Sequence, residues 1–190
     1  LAEAPEDKLL KLWEGLGYYN RVRNMQKAAR KIEEEYAGKF PENYEEIKAL
    51  PGIGNYTAGA ISSFAYGIPK PAVDGNVLRV VSRLLASDAD IMKASVRTKI
   101  ENAIEPVIPE DAASDFNQGL IELGAIVCVP NGEAKCEICP LTGICEAKRL
   151  GIQNELPVKK KAKARKIEER TILIFMDGDH VAIRKRPDKG

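Results

Sequence analysis

Apolar residues recur at helical spacing through the first 150 residues of this 190-residue chain. Residues 20–36 place apolar side chains at Val22, Met25, Ala29, Ile32 and Tyr36. Residues 77–85 repeat the spacing at Val77, Val80, Val81, Leu84 and Leu85. The stripe Leu9, Leu12, Trp13 and Leu16 marks an earlier helix, and others are expected near 95–105 and over 111–127. The pattern therefore predicts a mainly α-helical fold.

The pattern changes after residue 150. Residues 151–170 are rich in Lys and Arg, which is typical of a linker, and 171–190 read as two apolar strands around a turn at Asp177–His180. His180 is the single histidine, and its place predicts an exposed turn residue. A hairpin this short needs a further sheet or helix to be stable, so we expect it to open a second domain that is incomplete here.

The bulk composition excludes few functions. Net charge is +1, and no apolar run approaches the ~18 residues of a membrane-spanning helix. The first residues lack the features of a signal peptide, and the chain starts without Met and stops just after a strand-like run. We expect the natural chain to extend beyond both ends.

Four cysteines form one cluster with the spacing C-x7-C-x2-C-x5-C: Cys128, Cys136, Cys139 and Cys145. Four thiols so close together, in a chain otherwise free of cysteine, indicate one four-ligand metal centre in a reducing compartment. The spacing alone leaves zinc and a 4Fe–4S cluster as alternatives.

Two further features carry candidate chemistry. In "LPGIGNYTAGAI" (residues 50–61), Gly52 and Gly54 stand just before a helix. They fit a tight turn, where glycine adopts positive φ, or an anion site built from bare amides at a helix N-terminus. In "VDGNVLRV", Asp74 precedes the apolar helix and predicts an N-cap.

Three separated motifs, "GLGYYNRVRN", "LPGIGNYTAGAI" and "VDGNVLRV", resemble the helix–hairpin–helix base-excision DNA glycosylases. Tyr56 stands where the endonuclease III branch has a Schiff-base lysine, so the chain is similar to the adenine-specific, MutY-type branch, which only removes the base. The resemblance covers residues 1–158.

The resemblance implies an endonuclease III-like fold with four parts. These are a helical glycosylase region (1–127), an iron–sulfur cluster loop (128–150), a basic linker (151–170) and the first hairpin of a Nudix-like 8-oxoguanine-recognition domain (171–190). The family spacing between the first two cysteines is one residue shorter, and the loop at Pro130–Gly132 can absorb the extra one.

The resemblance also assigns site residues. Gly52 and Gly54 would bind a DNA phosphate, with a monovalent cation on the hairpin carbonyls. Asp74 would stabilise positive charge on the sugar as the base leaves, while Tyr56 and Asn76 orient the Asp, the sugar or water.

Other implied DNA contacts are an inserted Tyr18 or Tyr19, phosphate contacts from Arg21 and Arg23, and Lys135 in the cluster loop. The family chemistry favours a 4Fe–4S cluster over zinc at the four cysteines.

The expected function is hydrolysis of the N-glycosidic bond of adenine mispaired with 8-oxoguanine or guanine, in duplex DNA, by a monomer in the bacterial cytosol. The family's general-acid Glu lies upstream of the segment that matches Leu1, and Glu14 does not align with it. If the chain begins at Leu1, we therefore expect DNA binding and little base excision. The alternatives are a bifunctional pyrimidine glycosylase and a non-catalytic DNA-binding module.

Overall fold

The computed structural model describes residues 1–160 and 167–184. The chain divides into two compact units, Leu1–Lys160 and Lys161–Gly190. Part of the predicted basic linker, including Lys161, Lys163, Arg165 and Lys166, lies outside the described residues. Of the helices in the described part of the chain, none has both the length and the apolar character needed to cross a membrane.

Residues 1–160 are helical, as the apolar spacing predicts. The α-helices are α1 (Glu6–Leu12), α2 (Asn20–Tyr36), α3 (Tyr44–Lys48), α4 (Asn55–Tyr66), α5 (Gly75–Leu84), α6 (Ala94–Ile104), α7 (Ala113–Glu122) and α8 (Glu146–Leu150). A π-helical turn, Leu123–Val127, continues α7, and short 3₁₀ turns occupy Glu105–Val107, Cys136–Ile138 and Thr142–Ile144.

Local capping fixes where several of these helices begin and end. The Asn43 side chain accepts a hydrogen bond from the amide of Glu45 at 2.9 Å and starts α3. Helix α4 ends at Gly67 in the left-handed conformation (φ 65°), with the amide of Ile68 donating to the carbonyl of Ser62 at 3.0 Å. These caps set where α3 begins and where α4 ends.

The core of the first unit is built around α5. Buried apolar side chains from α5, α6 and the segments beside them form one cluster: Val73, Val77, Leu78, Val81, Ile91, Ile100, Ile104, Ile108 and Ala113. Phe116 and Leu120 of α7 pack against it. Because Val73 and Val77 flank Asp74, the residue predicted to carry the chemistry stands beside the buried core of the unit.

Some apolar positions that the spacing predicts to face inward are exposed. Met25 is exposed while its neighbour Gln26 is buried, with the Gln26 side-chain amide donating to the carbonyl of Ala4 at 2.6 Å. Leu12 and Leu16 are exposed as well, and so is Leu85 at the end of α5. Periodicity identifies the helices correctly here, but it does not show which apolar face has a neighbour.

The second unit contains the predicted hairpin in a shorter form. Strands β1 (Met176–Asp177) and β2 (His180–Val181) pair antiparallel, with Met176 opposite Val181 and Asp177 opposite His180. The predicted turn, Asp177–His180, is present, with Gly178 and Asp179 as its central residues and Gly178 at φ 58°. His180 is exposed as expected, and as the last residue of this turn it begins β2 and pairs with Asp177.

Candidate DNA-binding and catalytic site

The two glycines of the hairpin between α3 and α4 differ in their geometry. Gly52 has φ 82°, and a Cβ there would lie 2.6 Å from Cβ of Asn24 on α2. Gly54 has φ −98° and caps α4, and a Cβ there would have no neighbour within 4 Å. Gly52 is therefore required by the turn and by close contact with α2. Gly54 leaves the N-terminus of α4 open to a ligand, where free amides and the helix dipole favour an anion.

Helix α4 packs directly against residues 70–73, the segment that leads to Asp74. A Cβ on Gly59 would lie 2.0 Å from the carbonyl oxygen of Pro71. On another side, the buried Asn117 of α7 accepts from the amide of Ala72 at 2.9 Å and donates to the carbonyl of Lys70 at 3.0 Å. This segment therefore has little freedom to shift.

Asp74 caps α5, as the sequence predicts, and uses both carboxylate oxygens. Its Oδ1 accepts from the amides of Asn76 and Val77, each at 2.8 Å. Its Oδ2 accepts from the side-chain Nδ2 of Asn76, also at 2.8 Å. Asn76 thus holds the carboxylate through its backbone and its side chain, which fixes the plane of the carboxylate while leaving it half-buried.

Asn76 is in turn held by Arg79, one turn further along α5. Nη2 of Arg79 donates to Oδ1 of Asn76 at 2.8 Å and to the carbonyl of Gly124 at 2.6 Å, and Nε donates to the carbonyl of Cys128 at 2.7 Å. Arg79 is buried, and this burial lowers its pKa from the ordinary value. A continuous chain of hydrogen bonds therefore joins the start of the cysteine loop to Asp74.

All four cysteines line one partly open cavity, together with Val127 and Ala134. Arg83, also buried on α5, donates from Nη1 to Sγ of Cys128 at 3.2 Å. Burial raises the pKa of the Cys136 thiol. In the described residues, no group of three or more His, Cys, Asp or Glu side chains is arranged to hold a metal ion. Four thiols around a shared space, with a buried cation beside one of them, fit a multi-atom anionic cluster.

Comparison with known proteins agrees with this arrangement. The sequence profile described as "HhH-GPD superfamily base excision DNA repair protein" matches residues 1–106, which hold the hairpin, Asp74, Asn76 and Arg79. The chain belongs to the HhH-GPD superfamily of base-excision DNA repair proteins.

Within this superfamily, the chain is similar to proteins named adenine DNA glycosylase. It is 41% identical over 157 residues to the one from Homo sapiens, covering 82% of this chain and 29% of the relative. It is 40% identical over 147 residues to the one from Buchnera aphidicola subsp. Baizongia pistaciae, covering 77% of this chain and 41% of the relative. The chain thus spans less than half the length of these curated relatives.

Solved structures of glycosylases share the fold. A thermostable thymine-DNA glycosylase matches with a TM-score of 0.68 and 28% identity, over 78% of this chain and 68% of that chain. A non-covalent endonuclease III–DNA complex matches with a TM-score of 0.66 and 29% identity, over 80% of this chain and 69% of that chain. The expected endonuclease III-like helical fold is confirmed.

The remaining predicted DNA contacts of this HhH-GPD chain lie on exposed surface. Tyr18 is 81% exposed with φ 47°, and the guanidinium of Arg21 lies 5.4 Å from the centre of its ring. Tyr19 is the N-cap of α2. Arg21 and Gly52 line one surface groove, which brings a cation to the hairpin. Arg23 instead pairs with Glu6, with Nε 2.7 Å from Oε1.

Two predicted residues stand apart from these contacts. Tyr56, in the first turn of α4, is 39% exposed, and within the described part of the chain no hydrogen bond joins it to Asp74 or Asn76. Lys135 is exposed, beside the cavity of the cysteines. Their assigned roles stay predictions.

Three residues that hold the site were not predicted from the sequence: Arg79, Arg83 and Asn117. The signal for the arginines was available: they stand four residues apart inside "VLRVVSRLL", so both share the face of α5 that meets the cysteine loop. Asn117 gave no comparable signal, because one Asn among ordinary helix residues does not show that its amide meets the backbone of a distant segment.

Proposed function

We propose that this chain carries the DNA-binding hairpin and the carboxylate of an adenine DNA glycosylase that hydrolyses the N-glycosidic bond without cutting the strand. The observation that carries the proposal is the arrangement at Asp74, a half-buried carboxylate held at both oxygens by Asn76 beside an exposed surface. Similarity to proteins named adenine DNA glycosylase supports adenine as the base. Tyr56 in place of a lysine nucleophile favours base removal alone.

In the proposed reaction, cleavage of the glycosidic bond leaves positive charge on the deoxyribose. The N-terminus of α5 and three hydrogen-bond donors face the Asp74 side chain and fix its position. Its negative charge then stabilises the sugar cation as the bond to adenine breaks. Asn76 fixes the direction of the carboxylate, and Tyr56 helps to orient the sugar or the attacking water.

In the proposed complex, the DNA duplex is bent and its target base has left the stack. The open amides at Gly54 and the turn at Gly52 bind a backbone phosphate, with a monovalent cation on the hairpin carbonyls. Tyr18, which is almost fully exposed, and Tyr19 supply the aromatic surface that occupies the gap. Arg21, Arg23 and Lys135 add phosphate contacts, and Arg23 must first leave Glu6.

We further propose a 4Fe–4S cluster on Cys128, Cys136, Cys139 and Cys145, with zinc as the alternative. When bound, the cluster cross-links the cysteine loop covalently and supplies no chemistry at the sugar. Arg83 provides a hydrogen bond to the sulfur of Cys128, and Arg79 fixes the carbonyl of the same residue. A reducing compartment, the bacterial cytosol, suits four unpaired thiols and the assembly of such a cluster.

The proposed substrate is adenine opposite 8-oxoguanine or guanine in duplex DNA, bound by a monomer. Two duplexes test the carboxylate role without depending on the general acid that the family takes from another helix. Both carry 8-oxoguanine, opposite a cationic pyrrolidine mimic of the sugar in one and opposite a neutral tetrahydrofuran in the other. A glycosylase site binds the cation more tightly, because it resembles the transition state, and Asp74→Asn abolishes the preference.

Adenine release and covalent trapping complete the test. Single-turnover release of free adenine from an A:8-oxoguanine duplex measures the activity itself, and Asp74→Asn must lower whatever release the unmodified chain shows. Borohydride in the same reaction traps a DNA–protein adduct only when a Schiff base forms, as in a bifunctional enzyme. Equal binding of the two duplexes, or an adduct that depends on a lysine of this chain, would contradict the proposal.

A further inference from the structure

Helix α6 and the residue after it carry three charged side chains spaced four apart, Arg97, Glu101 and Glu105. This spacing places them along one face of the helix, and we call the set the α6 polar row. Each member bonds to a different point on the hairpin or on the segment that leads to Asp74. The proposed function gives the row no role.

Arg97 holds the backbone directly before Asp74. Its Nη1 donates to the carbonyl of Val73 at 2.9 Å. Val73 is 1% exposed and belongs to the core cluster, so its side chain is fixed by packing while its carbonyl is fixed by Arg97. A change at Arg97 therefore acts on the peptide group next to the carboxylate, without touching Asp74 itself.

Glu101 holds the other side of the proposed site. Oε2 of this buried carboxylate accepts from the side-chain Nδ2 of Asn55 at 3.0 Å, and Asn55 is the first residue of α4, next to Gly54. Oε1 is buried and has no hydrogen-bond partner among the residues that the structure describes. A buried carboxylate is costly when unpaired, so the bond to Asn55 strongly resists separation of α6 from the hairpin.

Glu105 is the third member of the α6 polar row, and it contacts the beginning of the segment that leads to Asp74. It forms an ion pair with Lys70, whose carbonyl is held by Asn117. This hydrogen bond to Glu105 raises the pKa of Lys70. The row therefore contacts Asn55 at the hairpin, and Lys70 and Val73 on the segment, all from one rigid helix.

We propose that the α6 polar row couples the phosphate-binding hairpin to Asp74, with Arg97 and Glu101 as positioning residues. The inference rests on the proposed function of both sites. Glu101 fixes α4 relative to α6, and Arg97 fixes the Asp74 segment relative to the same helix. A phosphate bound at the hairpin is thereby held at a set distance from the carboxylate that faces the sugar.

The test uses the cationic and neutral duplexes described above and reports the ratio of their dissociation constants. Arg97→Met keeps the aliphatic stem and removes the donor to Val73. We expect it to reduce the preference for the cationic duplex about tenfold, equivalent to about 1.4 kcal/mol. Affinity for the neutral duplex stays within about twofold, since the hairpin is untouched. Arg97→Lys restores part of the preference.

Glu101 variants test the other half. Glu101→Leu removes the acceptor for Asn55 and weakens binding of both duplexes, whereas Glu101→Gln keeps an acceptor and binds nearly as the original chain does. Lys99→Ala, an exposed cation on the same helix, controls for loss of charge, and Glu110→Gln controls for the neutralised carboxylate. Thermal unfolding of each variant confirms that it folds.

The outcomes separate the two hypotheses. If the unmodified chain binds both duplexes equally, the proposed function fails, and this inference fails with it. If the unmodified chain prefers the cation but Arg97→Met keeps the same ratio as Lys99→Ala, the coupling is absent and the inference alone is wrong. A loss of affinity by Arg97→Met that is equal for both duplexes would likewise overturn it.

Discussion

Arg79 and Asn76 are joined by a 2.8 Å hydrogen bond from Nη2 to Oδ1, and this bond determines which way the Asn76 amide points. A guanidinium only donates, so the amide oxygen must face Arg79. The amide nitrogen is then left to face Oδ2 of Asp74, at 2.8 Å. One buried arginine thus ensures that the catalytic candidate meets a donor and not a second oxygen.

Replacing Arg79 by Met should release this amide and leave the carbonyls of Gly124 and Cys128 without a donor. We expect a loss of roughly 2–3 kcal/mol in the free energy of unfolding, measured with urea, together with loss of the preference for the cationic duplex. Arg79→Lys should not restore either, because one ammonium cannot serve three acceptors in a fixed plane. Arg149→Met, at an exposed ion pair, is the control, and an equal effect there would contradict the prediction.

Asp74 should show separate contributions to stability and to function. Asp74→Asn keeps an oxygen for the amides of Asn76 and Val77, so the cap survives, whereas Asp74→Ala removes it and costs about 1 kcal/mol of folding free energy. Both variants should lose the preference for the cationic duplex. If Asp74→Asn retained that preference in the binding assay, the charge of Asp74 would have no part in stabilising the sugar.

Gly59→Ala should be strongly destabilising, by about 3 kcal/mol, because the new Cβ would meet the carbonyl oxygen of Pro71 at 2.0 Å. Gly119→Ala is the matched control: it also lies inside a helix, but its Cβ would meet nothing within 4 Å. There we expect a gain of roughly 0.5–1 kcal/mol from the better helix former. Chemical denaturation of both variants measures the difference, and equal effects would refute the close contact.

Asn117→Asp should loosen the segment before Asp74. The new carboxylate still accepts from the amide of Ala72, but its second oxygen faces the carbonyls of Lys70 and Ala113, where the amide nitrogen had donated. We expect a loss of about 2 kcal/mol or more in thermal or urea unfolding at neutral pH. Gln118→Glu makes the same change of charge at the exposed neighbouring position, and it should lie within about 0.5 kcal/mol of the original chain.

Removal of the proposed cluster should change how stability depends on pH. Burial raises the pKa of the Cys136 thiol above 9.0, so the folded metal-free chain keeps a proton that the unfolded chain releases. Its stability should therefore fall as the pH rises through about 9. A protein that holds the proposed cluster on its four thiolates should not show this loss. Iron and sulfide analysis, with Cys139→Ala as the depleted variant, identifies the cluster; one zinc per chain and no iron would contradict it.

The sequence was sufficient for what depends on local order. Helical periodicity located α2, α5 and α6, and the position of Asp74 before an apolar run predicted its capping role, which the 2.8 Å bonds confirm. These features arise from interactions between residues that are close in sequence, so they can be predicted from the sequence alone.

The contacts that hold the site could not be predicted in the same way. Asn117 and Ala72 are 45 residues apart, and Asn55 and Glu101 are 46 apart. Nothing local distinguishes such an Asn or Glu from a solvated one, since the partner is brought close only by the packing of whole helices. The prediction that Met25 faces inward was wrong for the same reason, because periodicity does not show whether another helix packs against that face.

The loop between the first two cysteines is closed at its base by a 3.0 Å hydrogen bond from the amide of Lys135 to the carbonyl of Val127. At this base, Arg79 donates a hydrogen bond to the main-chain carbonyl of Cys128, and Arg83 donates one to the main-chain carbonyl of Val129. Every residue type supplies such a carbonyl. Evolutionary drift can therefore alter the tip around Asn131 in identity and in length. The same tip offers protein engineers a place to splice in a fluorescent or affinity label with little disturbance to the cysteines.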